Sequence, residues 1–318
     1  MDAAVLSREM LSLLEVRESA LVPAWAAQRL GMLLSASQTR ALHVYPVAAA
    51  RRKDPGGSQY AVASDDDAAP QPVPLHSDLW RAIDGRRTAS GEGALYVPLA
   101  ALGEVRHVVQ LSGIRPSQSV IECFLPVLAT YFERMVDAET DPLTRLSNRR
   151  VFYPQVSAGL QRWSKGHFRY FLAVADIDHF KQVNDRFGHL YGDEILIHFA
   201  RLMRKTFRAG DLLFRFGGEE FVAVYGVEDE EAGEAPLQRF RQACLDYAFP
   251  EVGGVTVSIG VTRVGDGSVP ATTLIDRADQ AVYYAKTHGR NRVCVYEELV
   301  AAGELVPEAQ PQSEATLF

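Results

Sequence analysis

Two short apolar runs on either side of a glycine pair limit the fold of this chain more than any other feature. They stand in DLLFRFGGEEFVAVYGV, at residues 211–227, and a third run, YFLAVADID, covers residues 170–178. Runs of this length suit buried strands, and adjacent glycines suit a tight type I′ hairpin, whose two central positions need positive φ. If the strands are neighbours, Asp176, Glu219 and Glu220 converge beside a bare backbone turn.

The residue types at this turn indicate phosphate chemistry assisted by a metal ion. Carboxylate oxygens are the ligands that Mg²⁺ prefers, and Gly217 and Gly218 let a phosphate approach the backbone closely. The sequence contains neither GxxxxGK[ST] nor GxGxxG, which excludes a P-loop or a Rossmann phosphate site. A glycine–acid hairpin by itself is also typical of a solvated surface turn, so the function depends on the motifs around it.

Composition narrows the class of protein. The chain has 318 residues, of which 47% are hydrophobic and 23% charged, values that fit two packed domains and exclude a mainly disordered chain. Its net charge of −7 argues against nucleic acid as a partner, although a metal ion still allows a small phosphate ligand. The three cysteines, Cys123, Cys244 and Cys294, form no CxxC motif and are expected to be reduced thiols.

The amino-terminal residues show no targeting segment. No basic stretch is followed by an apolar core, and no stretch of about 18 apolar residues occurs anywhere. We therefore expect no signal peptide, no membrane partner and a cytoplasmic location.

Residues 1–118 are predicted to be an α+β domain. Single helices alternate with pairs of strands, and this order of elements resembles that of a GAF or PAS-type sensor domain. The resemblance implies an unidentified small-molecule or protein input. His43, His76 and His107 are candidate haem or metal ligands, but they form no ligand-spaced pair, so histidines on the surface or in hydrogen bonds are the simpler interpretation. The predicted segments are a helix at 5–33, strands at 41–47 and 60–63, a helix within 76–85 capped by Ser77, and strands at 94–99 and 107–111.

A linking helix is predicted at 119–140, where apolar residues alternate at spacings of three and four. This heptad seam favours a two-helix coiled coil in a homodimer, because the helix runs directly into the second half of the chain. The alternative is an amphipathic helix that packs on its own domain, and Pro126 predicts a kink or a later start. The seam consists of Ile121, Phe124, Leu128, Tyr131, Met135 and Ala138.

Four motifs in the second half resemble the GGDEF family, the diguanylate cyclases, in order and spacing. They are DPLTRLSNRR at 141–150, DIDHFKQVNDRFGHLYGD at 176–193, RAGDLLFRFGGEEF at 208–221 and AVYYAKTHGRNRV at 281–293. The resemblance implies a GGDEF (nucleotidyl cyclase-like) catalytic domain at 141–300, with a central, mostly antiparallel sheet flanked by helices. Residues 301–318 are expected to be a flexible tail.

The resemblance also implies a role for individual residues. Asp176, Glu219 and Glu220 match the catalytic, metal-binding carboxylates, with Mg²⁺ expected and Mn²⁺ as an alternative, and Glu219 is the candidate to deprotonate the attacking 3′-hydroxyl. Asp178 is interpreted as structural. The remaining substrate-binding positions are Gly217 and Gly218 at the turn, Phe180, Lys181, Lys286 and Arg290 near the phosphates, and Asn184 and Asp193 at the guanine.

Asp193 indicates which base is bound. A carboxylate accepts hydrogen bonds from both N1–H and the 2-amino group of guanine, whereas adenine offers neither donor and would leave the charge unpaired. We therefore expect GTP as substrate and cyclic di-GMP as product. Because each GTP must attack the other, two domains are expected to face each other in a homodimer.

A product-inhibition site is predicted upstream of the glycine pair. Arg208 and Asp211 match the RxxD inhibitory motif, and Arg239 lies where a second arginine often completes the site. A helix-end arginine with a capping aspartate is the alternative. At the level of the whole chain, the alternatives to a cyclase are a catalytically silent receptor for cyclic di-GMP and an interaction protein whose amino-terminal half docks a partner.

Overall fold

The structure, a computed structural model, divides into two units, Met1–Glu139 and Thr140–Phe318. Each unit contains its own sheet and its own hydrophobic core. The residues that the structure describes are 12–13, 16, 22–34, 36–46, 60–64, 71–74, 77–91, 93–102, 104–113, 124–163, 168–208, 210–249 and 251–306.

The described part of unit 1 contains three helices and six strands. Its sheet is antiparallel throughout, in the order β3-β2-β1-β6-β5-β4. The predicted strands all occur, whereas β3 and β4 were not predicted, because two or three residues carry no readable alternation. The elements are α1 (Val22–Leu33), β1 (Gln38–Pro46), β2 (Tyr60–Ser64), β3 (Gln71–Pro72), α2 (Asp78–Gly85), β4 (Ala89–Gly91), β5 (Ala94–Ala101), β6 (Glu104–Ser112) and α3 (Leu125–Glu139).

Local signals account for the helix ends in unit 1. Pro23 lies in the first turn of α1, where its missing N–H costs nothing. Ser77 caps α2 as predicted, since its side chain accepts a hydrogen bond from the backbone N–H of Trp80 at 3.0 Å. Gly85 is the last helical residue of α2, and Arg86, which follows it, takes the left-handed conformation.

The heptad seam of α3 packs inside unit 1. Phe124 and Leu128 are fully buried in the cluster that α1 and α3 form over one face of the sheet. Tyr131 packs on the same cluster and donates a hydrogen bond to the carbonyl oxygen of Val16 at 2.7 Å. α3 belongs to unit 1, and Phe124 and Leu128 of its seam cover the unit's own sheet, whereas Ala138 at the far end of the seam is exposed. The coiled coil in a homodimer stays a prediction. Ile121 lies outside the described residues.

Two of the three candidate histidine ligands in unit 1 form a half-buried pair. His43 and His107 are opposite each other on β1 and β6, and Nδ1 of His43 lies 3.0 Å from Nε2 of His107. The His107 ring also meets Phe132 of α3 edge to face. Burial, and then the neighbouring His43 and Arg106, lower the pKa of His107 from 6.5 to about 3. The pair agrees with the hydrogen-bonded interpretation, and His76 lies outside the described residues.

Unit 1 is expected to be acid-sensitive because of His107. The unfolded chain protonates this histidine near its ordinary pKa of 6.5, whereas the folded unit resists protonation down to about pH 3. The contribution of His107 to stability is therefore fully present above pH 6.5. As the pH falls from 6.5 towards 3, the free energy of unfolding decreases by at most about 1.4 kcal/mol per pH unit. Denaturant unfolding at a series of pH values measures this slope. The H107Q variant should lose part of it, and an unchanged slope would contradict the assignment.

Unit 2 is built on a second six-stranded sheet, in the order β14-β13-β8-β10-β9-β7. The pairs β13–β14 and β7–β9 are parallel, and the others are antiparallel. The elements are β7 (Ser147–Asn148), α4 (Arg149–Trp163), β8 (Arg169–Ile177), α5 (Phe180–Phe187), α6 (His189–Thr206), β9 (Leu212–Arg215), β10 (Glu220–Val227), a 3₁₀ helix (Glu230–Ala232), α7 (Ala235–Asp246), β11 (Ala248–Phe249), β12 (Gly253–Gly254), β13 (Val257–Arg263), α8 (Ala271–Thr287), β14 (Val293–Val295) and α9 (Tyr296–Ala301).

Helices cover both faces of the unit 2 sheet. Odd-numbered residues of β8 face α6 and α7, whereas even-numbered residues face α4 and α8. Both faces are apolar, which explains why β8 and β10 read as nearly continuous apolar runs. Gly260 on β13 lets α8 come close, since a Cβ atom there would collide with the backbone of Ala278 and Val282. The catalytic candidates Asp176 and Glu220 lie on the face that α8 covers.

The expected tail starts later than predicted. α9 continues to Ala301, and Leu305 then packs against the cluster that contains Ala285 and Cys294. Residues 307–318 lie outside the described part of the chain. Within that part, no helix has the length and hydropathy needed to cross a membrane.

Candidate functional site

The three acidic residues predicted to converge do so at one end of the unit 2 sheet. Asp176 on β8 is the register partner of Glu220 on β10 and of Ser258 on β13, so it lies on a central strand. Glu219 immediately precedes β10, and its carbonyl oxygen accepts a hydrogen bond from the N–H of Ile177. Strand register alone therefore holds these carboxylates together, because the antiparallel ladder fixes which residues are opposite each other.

A lysine from the closing motif neutralises part of this charge. Nζ of Lys286, on α8, lies 2.7 Å from Oδ2 of Asp176. Burial raises the pKa of Asp176, the Lys286 ammonium opposes this, and the neighbouring Glu220 and Asp178 add to it. Burial also raises the pKa of Glu219, with a further contribution from Asp176. The site is thus an acidic cluster whose negative charge Lys286 neutralises only in part.

The glycine turn is wider than predicted. Phe216, Gly217, Gly218 and Glu219 join β9 to β10, and the N–H groups of Phe216 and Gly217 both donate to the carbonyl oxygen of Glu220. Neither glycine has a positive φ, so the type I′ prediction is wrong: the loop has four residues instead of two. The glycines matter through their missing side chains. A Cβ atom on Gly217 would collide with the Glu220 carboxylate, while the space beside Gly218 is open.

Two residues to which the sequence analysis gave no role brace this turn. Arg215 donates from Nη2 to the carbonyl oxygen of Gly218 at 2.8 Å, and its Nη1 lies 3.2 Å from both carboxylate oxygens of Asp141. Asp141 also accepts hydrogen bonds from the backbone and the hydroxyl of Thr144, each at 2.7 Å. The opening motif DPLT therefore holds the signature hairpin in place. The motif match was visible in the sequence, but the pairing of Asp141 with Arg215 was not.

Asp178 is structural, in agreement with its interpretation. It is buried and accepts hydrogen bonds from the hydroxyls of Thr256 and Ser258, each at 2.7 Å. It also accepts from the backbone N–H of Asn291 at 3.1 Å. Asp178 thereby ties the loop after α8 to the end of β8, and that loop carries the predicted phosphate ligand Arg290. Arg290 is exposed and has a φ of 59°.

The predicted guanine and phosphate residues lie on two helices that follow Asp176. Phe180 begins α5 and is buried, whereas Lys181 is exposed. The Asn184 side chain lies so close to Gly192 that a Cβ atom on Gly192 would collide with Oδ1 of Asn184. Asp193 is the next residue of α6 and is exposed. Asn184 on α5 thus contacts the residue that precedes Asp193 on α6, and the shared base-binding role stays a prediction.

The predicted inhibitory residues line a separate cavity at the other end of β10. Arg208, Asp211 and Arg239 all border this space of about 320 Å³, together with Tyr225 and Gly226. The Asp211 carboxylate accepts a hydrogen bond from the backbone N–H of Arg208 at 2.7 Å, so the capping alternative describes part of its role. Burial raises the pKa of Asp211. A strand of eight residues separates this cavity from Glu220.

The acidic cluster fits a divalent cation. In the described residues, no three acidic, histidine or cysteine side chains are already gathered as a cage. One carboxylate oxygen, Oδ1 of Asp176, is nevertheless buried without a hydrogen-bond partner. Carboxylate oxygens with raised pKa values beside the open backbone of Gly218 suit a hard cation that also carries phosphate. Asp176, Glu219 and Glu220 are the residues that would hold it.

Comparison with known proteins places this site in a family. Residues 138–292 match the family model described as "Diguanylate cyclase, GGDEF domain". These residues form a GGDEF domain. The fold of unit 2, helices on both faces of a largely antiparallel sheet, is the nucleotidyl cyclase-like fold that the sequence predicted.

Curated relatives share the GGDEF domain over about half of this chain. The diguanylate cyclase DgcP of Pseudomonas aeruginosa is 42% identical over 159 residues, which cover 49% of this chain and 24% of the relative. The response regulator PleD of Caulobacter vibrioides is 40% identical over 164 residues, or 49% of this chain and 36% of the relative. The chain thus spans about a quarter to a third of the length of these relatives.

A solved structure shares the same region. The GGDEF domain of DgcB from Caulobacter crescentus, in complex with c-di-GMP, is 32% identical, with a TM-score of 0.48. The match covers 51% of this chain and 97% of that chain.

A divalent cation is expected to stabilise unit 2. At about 100 times its dissociation constant, a ligand of the folded state adds about 2.7 kcal/mol, which corresponds to a rise of about 5 to 10 °C for a unit of this size. Protons compete for carboxylates with raised pKa values, so the rise should shrink as the pH falls towards those values. Thermal unfolding with magnesium chloride measures it. D176N should abolish the rise, whereas D266N, at an exposed turn, should keep it; equal rises in both variants would contradict the site.

Proposed function

We propose that this chain is a diguanylate cyclase, which condenses two GTP molecules into cyclic di-GMP and two pyrophosphates. The observation that carries the proposal is the register of β8 and β10. It sets Asp176 opposite Glu220 and beside the open backbone of Gly218. Oδ1 of Asp176 is buried there without a hydrogen-bond partner. The match of residues 138–292 to the GGDEF domain supports the same reaction.

The chain's own residues are proposed to bind and orient the triphosphate. Bound Mg²⁺, or Mn²⁺ in its place, would be held by Asp176, Glu219 and Glu220 and would stabilise charge on the reacting phosphate. The backbone at Gly218 leaves room for the phosphates. Lys286, which contacts Asp176, is proposed to supply positive charge around them together with Lys181 in the first turn of α5 and Arg290 in the loop after α8.

The reaction forms one new ester bond for each GTP. The 3′-oxygen of one GTP bonds to the α-phosphorus of the other, the bond from that phosphorus to the bridging oxygen breaks, and pyrophosphate leaves. Glu219 is proposed to accept the 3′-hydroxyl proton, because burial and Asp176 raise its pKa towards the range of a useful base. Asn184 and Asp193 are proposed to read the guanine, which selects GTP over ATP.

Cyclase activity is tested by incubating the full chain with GTP and magnesium chloride. We expect cyclic di-GMP by chromatography from the wild type and at least a 100-fold loss in E219Q, because the variant loses both a cation ligand and the base. The matched control is E298Q, an exposed acid on α9 that should retain wild-type turnover. A wild type that binds cyclic di-GMP without forming it would be a receptor instead, and equal rates in E219Q and wild type would reject the mechanism.

Product inhibition is proposed to act through the cavity that Arg208, Asp211 and Arg239 border. Its two arginines suit phosphate and guanine edges, and its carboxylate suits the guanine N1–H and 2-amino donors. In R208A, the inhibition constant for cyclic di-GMP should rise at least tenfold when each enzyme is compared with its own uninhibited rate. R201A, on α6, is the control, and an unchanged constant in R208A would reject the site.

The homodimer and the regulatory role of unit 1 belong to the same proposal. Two GTP molecules on two domains require a second copy, and the α3 seam, which unit 1 covers only in part, is proposed to contribute to that contact. The antiparallel sheet of unit 1, with helices on both faces, supports a GAF-like sensor. Its input is proposed to be a small molecule or a protein that alters how the two catalytic domains meet.

A further inference from the structure

The exposed face of α8 carries an unpartnered aromatic side chain beside the catalytic carboxylates. The inner face of this helix is buried against the sheet through Leu274, Ala278 and Val282. On the outer face, Tyr283 is 71% exposed, more than any other phenylalanine, tyrosine or tryptophan among the described residues. Lys286, one turn further on, reaches Asp176. The outer face therefore adjoins the acidic cluster directly.

Charged residues on this outer face are segregated along the helix. Asp276 and Asp279 precede Tyr283, whereas Lys286 and Arg290 follow it, at successive spacings of three, four, three and four. The first three intervals put Asp276, Asp279, Tyr283 and Lys286 on one stripe of α8, whereas the helix ends at Thr287 and Arg290 follows in the loop with a φ of 59°. The stripe is acidic at its start, aromatic in its middle and basic at its end.

We propose that this stripe docks on the same stripe of a second copy of the chain, with the two α8 helices antiparallel and a two-fold axis at Tyr283. An antiparallel pair centred there sets the acidic start of each stripe towards the basic end of the other, with Asp279 within one turn of the partner's Lys286. A parallel pair would instead place acid against acid. Self-complementarity of this kind is what a two-fold interface requires, since one patch must contact its own copy.

The proposal rests on the proposed function and specifies its partner surface. Condensation of two GTP molecules needs two domains that face each other at their carboxylate clusters, and the stripe borders that cluster. Asp276 and Asp279 are both exposed on this face and concentrate negative charge at the start of the stripe. Basic groups from a second copy would relieve this excess of negative charge, while the two Tyr283 rings pack at the axis.

Cysteine cross-linking tests the position of the axis without reference to turnover. The full-length Y283C variant, with magnesium chloride and a non-hydrolysable GTP analogue, should form a covalent dimer with a short bismaleimide, because both cysteines lie at the axis. In D276C, the two cysteines would be separated by about 21 Å along the helices and should not cross-link. L245C, on α7, and the wild type set the background. Melting temperatures verify that each variant is folded.

Turnover gives a second measurement. In Y283S, the enzyme concentration at half-maximal specific activity should rise at least tenfold, while the affinity for a single GTP analogue stays as in the wild type. The docking geometry would be overturned if Y283C formed no more cross-linked dimer than the wild type, or if D276C formed more than Y283C. Cross-linking in Y283C without cyclic di-GMP formation by the wild type would leave the interface standing and reject the cyclase. Product formation without cross-linking would reject the interface alone.

Discussion

The register between β8 and β10 is the constraint on which the catalytic unit depends. Moving either strand by one residue would turn Asp176 or Glu220 to the opposite face, where α6 and α7 pack. The apolar residues that precede each carboxylate prevent this, because Leu172, Val174, Val222 and Val224 all pack beneath α4 and α8. The hydrophobic core therefore fixes the position of the charges, although no core side chain touches them.

Two sets of hydrogen bonds then hold the glycine turn and the loop after α8 against the sheet. Asp141 and Arg215 fix the carbonyl of Gly218, and Asp178 fixes the backbone of Asn291. Both aspartates accept several hydrogen bonds and are largely shielded from water, so neither is free to act on substrate. Asp176, two residues before Asp178, differs from both, because one of its oxygens pairs with Lys286 while the other is buried without a hydrogen-bond partner.

The sequence predicted the elements of this frame better than it predicted their connections. Apolar runs identified β8 and β10, and the motifs identified the residues around Asp176, because period and residue type are local properties. The glycine turn was misread because its length depends on where the ladder ends, which Arg215 and Asp141 decide from 74 positions apart. Spacing also left open what covers the seam of α3. Spacing shows that a helix has an apolar face, but it cannot show whether the cover is another chain or the unit's own sheet.

The position of Lys286 beside Asp176 suits its positive charge to two roles, one at the carboxylates and one at a bound phosphate. Without a cation, the ammonium 2.7 Å from Oδ2 offsets the repulsion among Asp176, Glu219 and Glu220, whose like charges oppose close approach. A cation on the carboxylates would relieve that repulsion and leave the ammonium available for the proposed contact with phosphate. The same lysine would thus stabilise the empty site and contribute to the loaded one. Because α8 carries Lys286 on the stripe that bears Tyr283, the proposed docking of that helix would also act on the charge balance of the carboxylates.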